Sequence, residues 1–301
     1  MVCGYLPASA GGSRVRPAIL IAIILILLTL GAAGAHLQTT TTDLSRFNPG
    51  WSGTAAFYSL AGSMDAEILT PGTNEPDPAD RYIIIAPKDA SPSGIAEQVL
   101  QNGGSVIIAD EEGDANQLLE ALGSRMQIVP GNVSSLDMEF ASTRTIIATV
   151  SGNHTLLDGI STLTFNRPSS ITGGTPLVTT SVLSWTDTTG SGRPGAGASL
   201  GRYTLIAREE VDPGEIILIA DASLFATTMQ EVRQLHDNRQ FLENMLDTNG
   251  TVSVDAVYGK TADAEGPAYI IHKVKSAPIS TIIAILLLMV FVIVAFRKQI
   301  L

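Results

Sequence analysis

The chain has 301 residues, of which 45% are hydrophobic and 5% aromatic, and its formal net charge is −11. This length accommodates one large domain or two small ones. The acidic balance argues against a nucleic-acid partner, because the phosphate backbone attracts basic protein surfaces.

The first predicted element is an apolar segment at residues 17–35, and a second apolar segment lies near the other end at residues 278–296. Each segment is close to the ~20 residues that a helix needs to cross a bilayer core. We therefore predict two transmembrane helices that flank the rest of the chain.

The charges beside these segments predict their orientation. Every Asp and Glu lies between the two segments. The basic residues outside them are Arg14, Arg16, Arg297 and Lys298. Because basic residues favour the cytoplasmic side, we expect residues 1–16 and 297–301 in the cytoplasm. Residues 36–277 then form an extracytoplasmic domain held at the cell membrane.

The first apolar segment also has a second interpretation. It ends in Ala33-Gly34-Ala35, which is similar to the A-x-A site of a cleavable signal peptide. We favour an anchor, because the apolar run is long for a signal peptide. Both interpretations export the middle of the chain.

The single cysteine limits the chemistry of the exported part. Cys3 precedes the first apolar segment, so residues 36–277 contain no cysteine. That domain cannot form an internal disulfide or use a cysteine nucleophile. Its stability must come from the burial of apolar side chains.

A regular alternation of strands and helices begins at residue 81. The predicted strands are RYIIIA, SVIIA and MQIV, and the predicted helices between them cover residues 91–104 and 114–123. Continuously apolar strands that alternate with helices are typical of a parallel sheet buried on both faces. Strand signals dominate from residue 143, and a last helix is predicted at residues 237–247.

Acidic residues follow several predicted strands. Asp110 and Glu112 follow SVIIA, and Asp221 follows EIILIA. Asn238, at the start of the last helix, is predicted to lie beside Asp221. The carboxyl ends of strands are where α/β sheets bind ligands, and clustered carboxylates suit Mg²⁺ or Ca²⁺. The alternative is that these side chains cap the elements that follow.

We favour the interpretation that these residues are caps, because a cap acts alone whereas a metal site requires several side chains to converge. We therefore assign no metal, no cofactor and no catalytic residue. Sequons at Asn132, Asn153 and Asn249 are candidate glycosylation sites on the exported side.

Several segments in order resemble a known family. They are FNPGWSGTAAFYSL, IIIAPKDASPSGIAEQVLQNGGSVIIADEEG, NHTLLDGISTLTFNRPSSI and GEIILIADASLFATTMQEVRQLHDNRQFLENML. Together they resemble the uncharacterised membrane proteins called domain of unknown function 4350, over residues 46–246. That family is similar to class I glutamine amidotransferases and to auxiliary proteins of gliding-motility ABC transporters.

The resemblance implies a flavodoxin-like, class I amidotransferase-like α/β sandwich. It also implies neighbours such as MoxR-type ATPases, von Willebrand-like proteins or ABC transporters. Amidotransferases of this class use a cysteine nucleophile, whereas this chain has Asp110 and Glu111 where such a cysteine would lie. We therefore expect a non-catalytic binding domain that is an accessory part of a membrane assembly or transport system. The alternatives are a degenerate or metal-dependent hydrolase that uses the strand-end acids, and a structural surface glycoprotein.

Overall fold

The computed structural model describes residues 17–71, 79–137, 139–195, 198–211, 213–232 and 235–276. Its helices are α1 (Pro17–Gln38), α2 (Ala55–Ser63), α3 (Ser93–Gln101), α4 (Ala115–Ala121), α5 (Thr227–Glu231), α6 (Asn238–Leu246) and α7 (Gly266–Ser276). Its strands are β1 (Glu67–Leu69), β2 (Arg81–Ile85), β3 (Ser105–Ala109), β4 (Gln127–Val129), β5 (Asn132–Ser135), β6 (Thr145–Val150), β7 (Thr162–Asn166), β8 (Ser170–Thr172), β9 (Thr175–Thr179), β10 (Ser184–Asp187), β11 (Thr204–Val211), β12 (Gly214–Ile219) and β13 (Val252–Asp255).

One large mixed sheet organises the fold. Its order is β1-β13-β2-β3-β12-β11-β9-β6-β7. The pairs from β1 to β12 are parallel, and the pairs from β12 to β7 are antiparallel. The predicted α/β class is confirmed, but the sheet is parallel over only one half.

One predicted strand neighbour is wrong. The segment MQIV was expected to extend the parallel sheet after SVIIA, but β4 pairs antiparallel with β8. The parallel neighbour of β3 is β12 instead, with Ile107 opposite Ile217. Both β4 and β12 are apolar, so their composition could not distinguish which of them pairs with β3.

The parallel half is covered on both faces. Alternate residues of a strand point to opposite faces. Ile83, Ile85 and Ile107 pack in the core that contains side chains of α2 and α6. Ile84 and Ile108 pack in the core that contains side chains of α3 and α4. All five side chains are fully buried, and burial of one isoleucine contributes roughly 1.5–3 kcal/mol.

Side-chain oxygens occupy N–H groups on the outer edge of β7. Oxygens of three side chains accept hydrogen bonds from the N–H groups of alternate β7 residues. The pairs are Thr162 with Asp237 at 3.2 Å, Thr164 with Asn238 at 2.8 Å, and Asn166 with Asp221 at 2.7 Å. An edge strand with free N–H groups can pair with another chain, and these contacts occupy them.

The helices at the two ends of the described chain lie side by side. The Nε2 atom of His272 on α7 is 3.1 Å from the carbonyl oxygen of Gln38, and the His272 ring stacks on Phe47 with centroids 3.7 Å apart. Side chains of α1 are described from residue 24. Within the described part of the chain, no helix combines the length and apolarity needed for a membrane crossing. The second predicted span, residues 278–296, and the predicted cytoplasmic ends, residues 1–16 and 297–301, lie outside the described residues.

Candidate functional site

A cleft of about 560 Å³ lies at the carboxyl ends of the parallel strands. Loops after β3, β12 and β13 contribute Glu111, Ser223 and Lys260 to its lining, because parallel strands end at the same edge of a sheet. The other lining residues are Asp43, Leu44, Trp51, Ser52, Glu112, Asn132, Asn166, Arg167, Ala226, Thr228 and Met229.

Asp110 is buried and organises the loop that leads into α4. Its Oδ1 atom accepts a hydrogen bond from the Glu112 N–H at 3.1 Å. Its Oδ2 atom accepts from Gly113 at 2.8 Å and from Ala115 at 2.9 Å. Both oxygens are therefore occupied by backbone donors, and Asp110 does not line the cleft.

Asp221 is also fully buried, and it caps the short 3-10 helix Ala222–Phe225. Its Oδ1 atom accepts from the Ser223 N–H at 2.9 Å and lies 2.6 Å from the Ser223 hydroxyl. Its Oδ2 atom accepts from the Asn166 N–H at 2.7 Å. One carboxyl thus joins the end of β12 to the end of β7.

Glu111 connects this buried carboxyl to the cleft. Its Oε2 atom accepts from the Ala222 N–H at 2.8 Å. Burial raises the pKa of Glu111 above its ordinary value, and the nearby Asp110 adds to the rise. Burial and the neighbouring Glu111 together raise the pKa of Asp221 to about 7. Glu111 and Asp221 therefore tend to hold a proton near neutral pH, because two neighbouring buried carboxylates repel each other.

Glu112 forms an ion pair at the rim of the cleft. Lys260 lies 2.5 Å from Glu112 and 3.3 Å from Asp114. Burial by itself lowers the pKa of Lys260, but these two carboxylates hold it above its ordinary value. The Glu112 side chain is 62% exposed, so the pair contributes little to stability, on the order of 1 kcal/mol or less.

Asn238 does not belong to this cleft. It is buried at the start of α6, where its Oδ1 accepts from the Thr164 N–H at 2.8 Å and its Nδ2 donates to the Thr164 carbonyl at 2.9 Å. Asn238 and Asp221 were predicted to lie side by side. They instead hold the same strand, β7, at positions two residues apart.

The three sequons lie in different settings. Asn153 and Asn249 are exposed, whereas Asn132 is half-buried and lines the cleft. A glycan on Asn132 would therefore occupy the cleft, whereas glycans on the other two would not.

Two residues of this edge were missed by the sequence analysis. Asp255 is the last residue of β13, a position similar to that of Asp221 after β12. The Oδ2 atom of Asp255 accepts a hydrogen bond from the Gly259 N–H at 3.0 Å. Burial raises the pKa of Asp255 above its ordinary value. The segment VSVDA carried the same signal as EIILIAD, an apolar strand followed by Asp. Trp51 carried no comparable signal, because only the tertiary structure determines its exposure.

Trp51 combines a fixed backbone with a free side chain. Its carbonyl accepts from the Thr228 N–H at 3.2 Å, and the carbonyl of the nearby Gly53 accepts from Thr227 at 2.8 Å. Its side chain is nevertheless 78% exposed at the cleft. An indole presented in this way offers a large apolar contact surface with one N–H donor.

The carboxylates at this edge of the sheet are largely engaged by other groups of the protein. Asp110 and Asp221 are occupied by backbone donors, and Glu112 is paired with Lys260. Within the described ranges, no group of three or more His, Cys, Asp or Glu side chains is placed to hold a metal ion. The cleft instead offers carboxylates, the cations Lys260 and Arg167, and the indole of Trp51.

The family model described as "Domain of unknown function (DUF4350)" matches residues 46–246. The chain belongs to the DUF4350 family. The match covers α6, the parallel strands except β13, and the residues that line the cleft except Asp43, Leu44 and Lys260. It confirms the family resemblance predicted from the sequence. The description of the family names no activity. No curated protein matches the chain.

Solved structures resemble parts of this DUF4350 protein only weakly. A beta-galactosidase from Bacillus circulans sp. alkalophilus is 11% identical with a TM-score of 0.29, and the match covers 48% of this chain and 21% of that one. Cytoplasmic protein STM3548 from Salmonella typhimurium is 14% identical with a TM-score of 0.28, over 55% and 70% of the two chains. Cytoplasmic protein STM1381 from Salmonella typhimurium LT2 is 11% identical with a TM-score of 0.27, over 64% and 81%. Likenesses this low do not bear on function.

Proposed function

We propose that this DUF4350 protein is a membrane-anchored, extracytoplasmic binding domain without catalytic activity. Its cleft binds a segment of a partner protein in a membrane assembly or transport system. The observation that carries this proposal is Trp51, whose backbone is fixed while its indole stands exposed at the cleft. Tryptophan is enriched among the residues that dominate the affinity of protein interfaces.

The chemistry of the cleft supports a peptide as the ligand. Arg167 complements carboxylates, Asp43 complements cations, and Trp51 complements an apolar side chain. A peptide segment presents all three kinds of group within a short distance. The cleft volume of about 560 Å³ is in the usual range for ligand sites.

Membrane anchoring is part of the same proposal. Leu25, Leu27 and Leu30 on α1 are each more than half exposed, which is unfavourable in water. The contact of α1 with α7 brings the two ends of the domain together. This arrangement favours entry of both apolar segments, residues 17–35 and 278–296, into one membrane from one side of the domain.

The parallel half of the sheet with helices on both faces supports the flavodoxin-like interpretation.

Photocrosslinking in membranes tests the binding proposal. A photoreactive amino acid at Asp43, an exposed position of the cleft, should crosslink a protein partner in cells of the source organism. The Trp51→Ala variant should lose that crosslink, because the indole contact is removed. The control is Val182→Ala, which removes another exposed apolar side chain outside the residues that line the cleft. An unchanged crosslink in Trp51→Ala would contradict the proposal.

One observation favours a second candidate function. Glu111 lines the cleft, and its pKa is raised by burial. A carboxyl that holds a proton in a cleft is suited to general acid catalysis. In this alternative the protein is a hydrolase, and Glu111→Gln abolishes hydrolysis while leaving the crosslinked partner unchanged. Loss of the crosslink in Trp51→Ala, together with no hydrolytic activity in the wild-type protein, would support the binding domain.

A further inference from the structure

The helices α1 and α7 leave the domain together at one place. The carbonyl oxygen of Gln38, the last residue of α1, lies 3.1 Å from Nε2 of His272 on α7. His272 is four residues before the end of α7, which is about 6 Å at the rise of an α-helix. No described side chain of either helix belongs to the two cores that cover the sheet. Both helices therefore project from the domain instead of lying across a face of the sheet.

This exit lies at the carboxyl ends of the parallel strands. A cavity of about 350 Å³ beside α7 is lined by Thr70, directly after β1, and by Ala256, directly after β13. Because β1 and β13 are parallel, both strands end at the same edge of the sheet. Tyr269 and His272 of α7 line the same cavity. The helix α7 therefore borders the edge at which the parallel strands end.

The cleft lies at this edge too, a few residues along the chain from the exit of the helices. Leu44 lines the cleft, and Phe47 stacks on the His272 ring with centroids 3.7 Å apart. Lys260 lines the cleft, and Ala262 lines the cavity beside α7. Three residues of chain span at most about 11 Å, and two residues span at most about 7 Å. The cleft is therefore close to the place where α1 and α7 leave the domain.

We propose that the cleft lies on the membrane-facing side of the domain and binds a juxtamembrane segment of another membrane protein. This inference rests on the proposed function, because it requires residues 17–35 and 278–296 to enter a membrane. It goes further, because it names the kind of partner. One bilayer would hold both proteins, which raises the local concentration of such a segment at the cleft.

The exposed indole of Trp51 suits a partner of this kind. Trp and Tyr are enriched where transmembrane helices meet the membrane surface. Aromatic rings pair favourably with one another, and the Trp51 side chain is 78% exposed at the cleft. A segment that has just left the bilayer therefore brings suitable side chains to the height at which the cleft lies.

Energy transfer to the membrane tests the position of the cleft. The full-length protein with Cys3→Ser is placed in lipid nanodiscs that contain an acceptor-labelled lipid. A donor dye is attached either at Asp43→Cys, an exposed position of the cleft, or at Asn249→Cys. Asn249 is also exposed, and it lies three residues before β13, at the amino ends of the parallel strands. The donor at residue 43 should be nearer to the lipid by roughly 17 Å, the length of a five-residue strand.

The possible results separate this inference from the proposed function. Equal transfer from the two donors, or stronger transfer from residue 249, would overturn the membrane-facing position of the cleft and leave the anchoring intact. A protein that does not enter nanodiscs would contradict the anchoring itself, and this inference with it.

The identity of the crosslinked protein tests the kind of partner. A photoreactive amino acid at Asp43 should capture a protein that stays in membranes washed with alkaline carbonate. The crosslinked peptide should lie within about 20 residues of a transmembrane segment of that protein. The same photoreactive amino acid at Asn249 is the matched control and should not capture it. Capture of a carbonate-soluble protein, a lipid or a second copy of this chain at residue 43 would overturn the inference.

Discussion

The protonation of Asp221 should make the protein more stable in mild acid than at neutral pH. Burial and Glu111 raise the pKa of Asp221 from its ordinary 3.8 to about 7 in the folded protein. In the unfolded chain Asp221 releases its proton near the ordinary value. Between these two values the folded state binds more protons, so the free energy of unfolding falls as pH rises. The contribution is fully present below about pH 4 and is lost as pH rises through about 7.

The hydrogen bonds around Asp221 are compatible with this proton. A proton on Oδ1 can be donated to the Ser223 hydroxyl at 2.6 Å, which in turn can donate to the Asn166 carbonyl at 3.4 Å. The Oδ2 atom still accepts from the Asn166 N–H at 2.7 Å. The neutral carboxyl therefore keeps every partner and avoids the cost of a buried charge.

The expected magnitude follows from the pKa shift. One titrating group changes the free energy of unfolding by at most about 1.4 kcal/mol per pH unit. From pH 5 to pH 7 the loss attributable to Asp221 is then roughly 2 kcal/mol. Glu111 has a raised pKa and contributes with the same sign. The Asp221→Asn variant should lose the Asp221 part of this slope. It should also lose about 1–3 kcal/mol at pH 5, because an amide NH₂ then faces a backbone N–H of Asn166 or Ser223.

Urea unfolding of the full-length protein in neutral detergent, at pH values from 5 to 8, measures this slope. The fluorescence of the fully buried Trp185 reports unfolding. The control is Asp89→Asn, which changes an exposed strand-end acid that accepts from Ser91 at 2.8 Å. The pKa of Asp89 is lowered, chiefly by its hydrogen bonds to Ser91, so this acid has no proton to lose in the tested window. The reasoning is refuted if wild type and Asp221→Asn show the same slope between pH 5 and pH 7, or if wild type becomes more stable as pH rises.

Three further predictions concern the core, the sheet edge and the topology. Ile107→Asp puts a charge at a fully buried site in β3 and should cost several kcal/mol, whereas an unchanged melting temperature would show that β3 is not a core strand. Asn238→Leu leaves the backbone N–H and carbonyl of Thr164 without partners and should cost about 2 kcal/mol or more in urea unfolding, and a loss below 0.5 kcal/mol would contradict this role for the side chain. A membrane-impermeant maleimide should label Asn249→Cys in intact cells and reach the native Cys3 only after permeabilisation, and the reverse pattern would contradict the proposed orientation.

Apolar runs in the sequence identified several of the buried strands. The apolar runs YIII and SVIIA became β2 and β3, and their side chains alternate between two cores. The sequence also located the acids that follow strands, because Asp110 and Asp221 sit where an apolar run ends. These features are local, since burial and turn chemistry are encoded in neighbouring residues. The family could be identified for the same reason, from ordered local motifs.

The neighbours of each strand and the contacts of each polar group depend on how distant segments pack together. β12 pairs with β3 although more than a hundred residues separate them in the chain, and β4 pairs with β8 instead. Asn238 holds β7, and Trp51 stands exposed at the cleft. These features could not be predicted from neighbouring residues in the sequence, because strand pairing and side-chain exposure depend on contacts between distant segments. Several apolar strands of similar composition could have occupied the place beside β3, and the fold as a whole selected one of them.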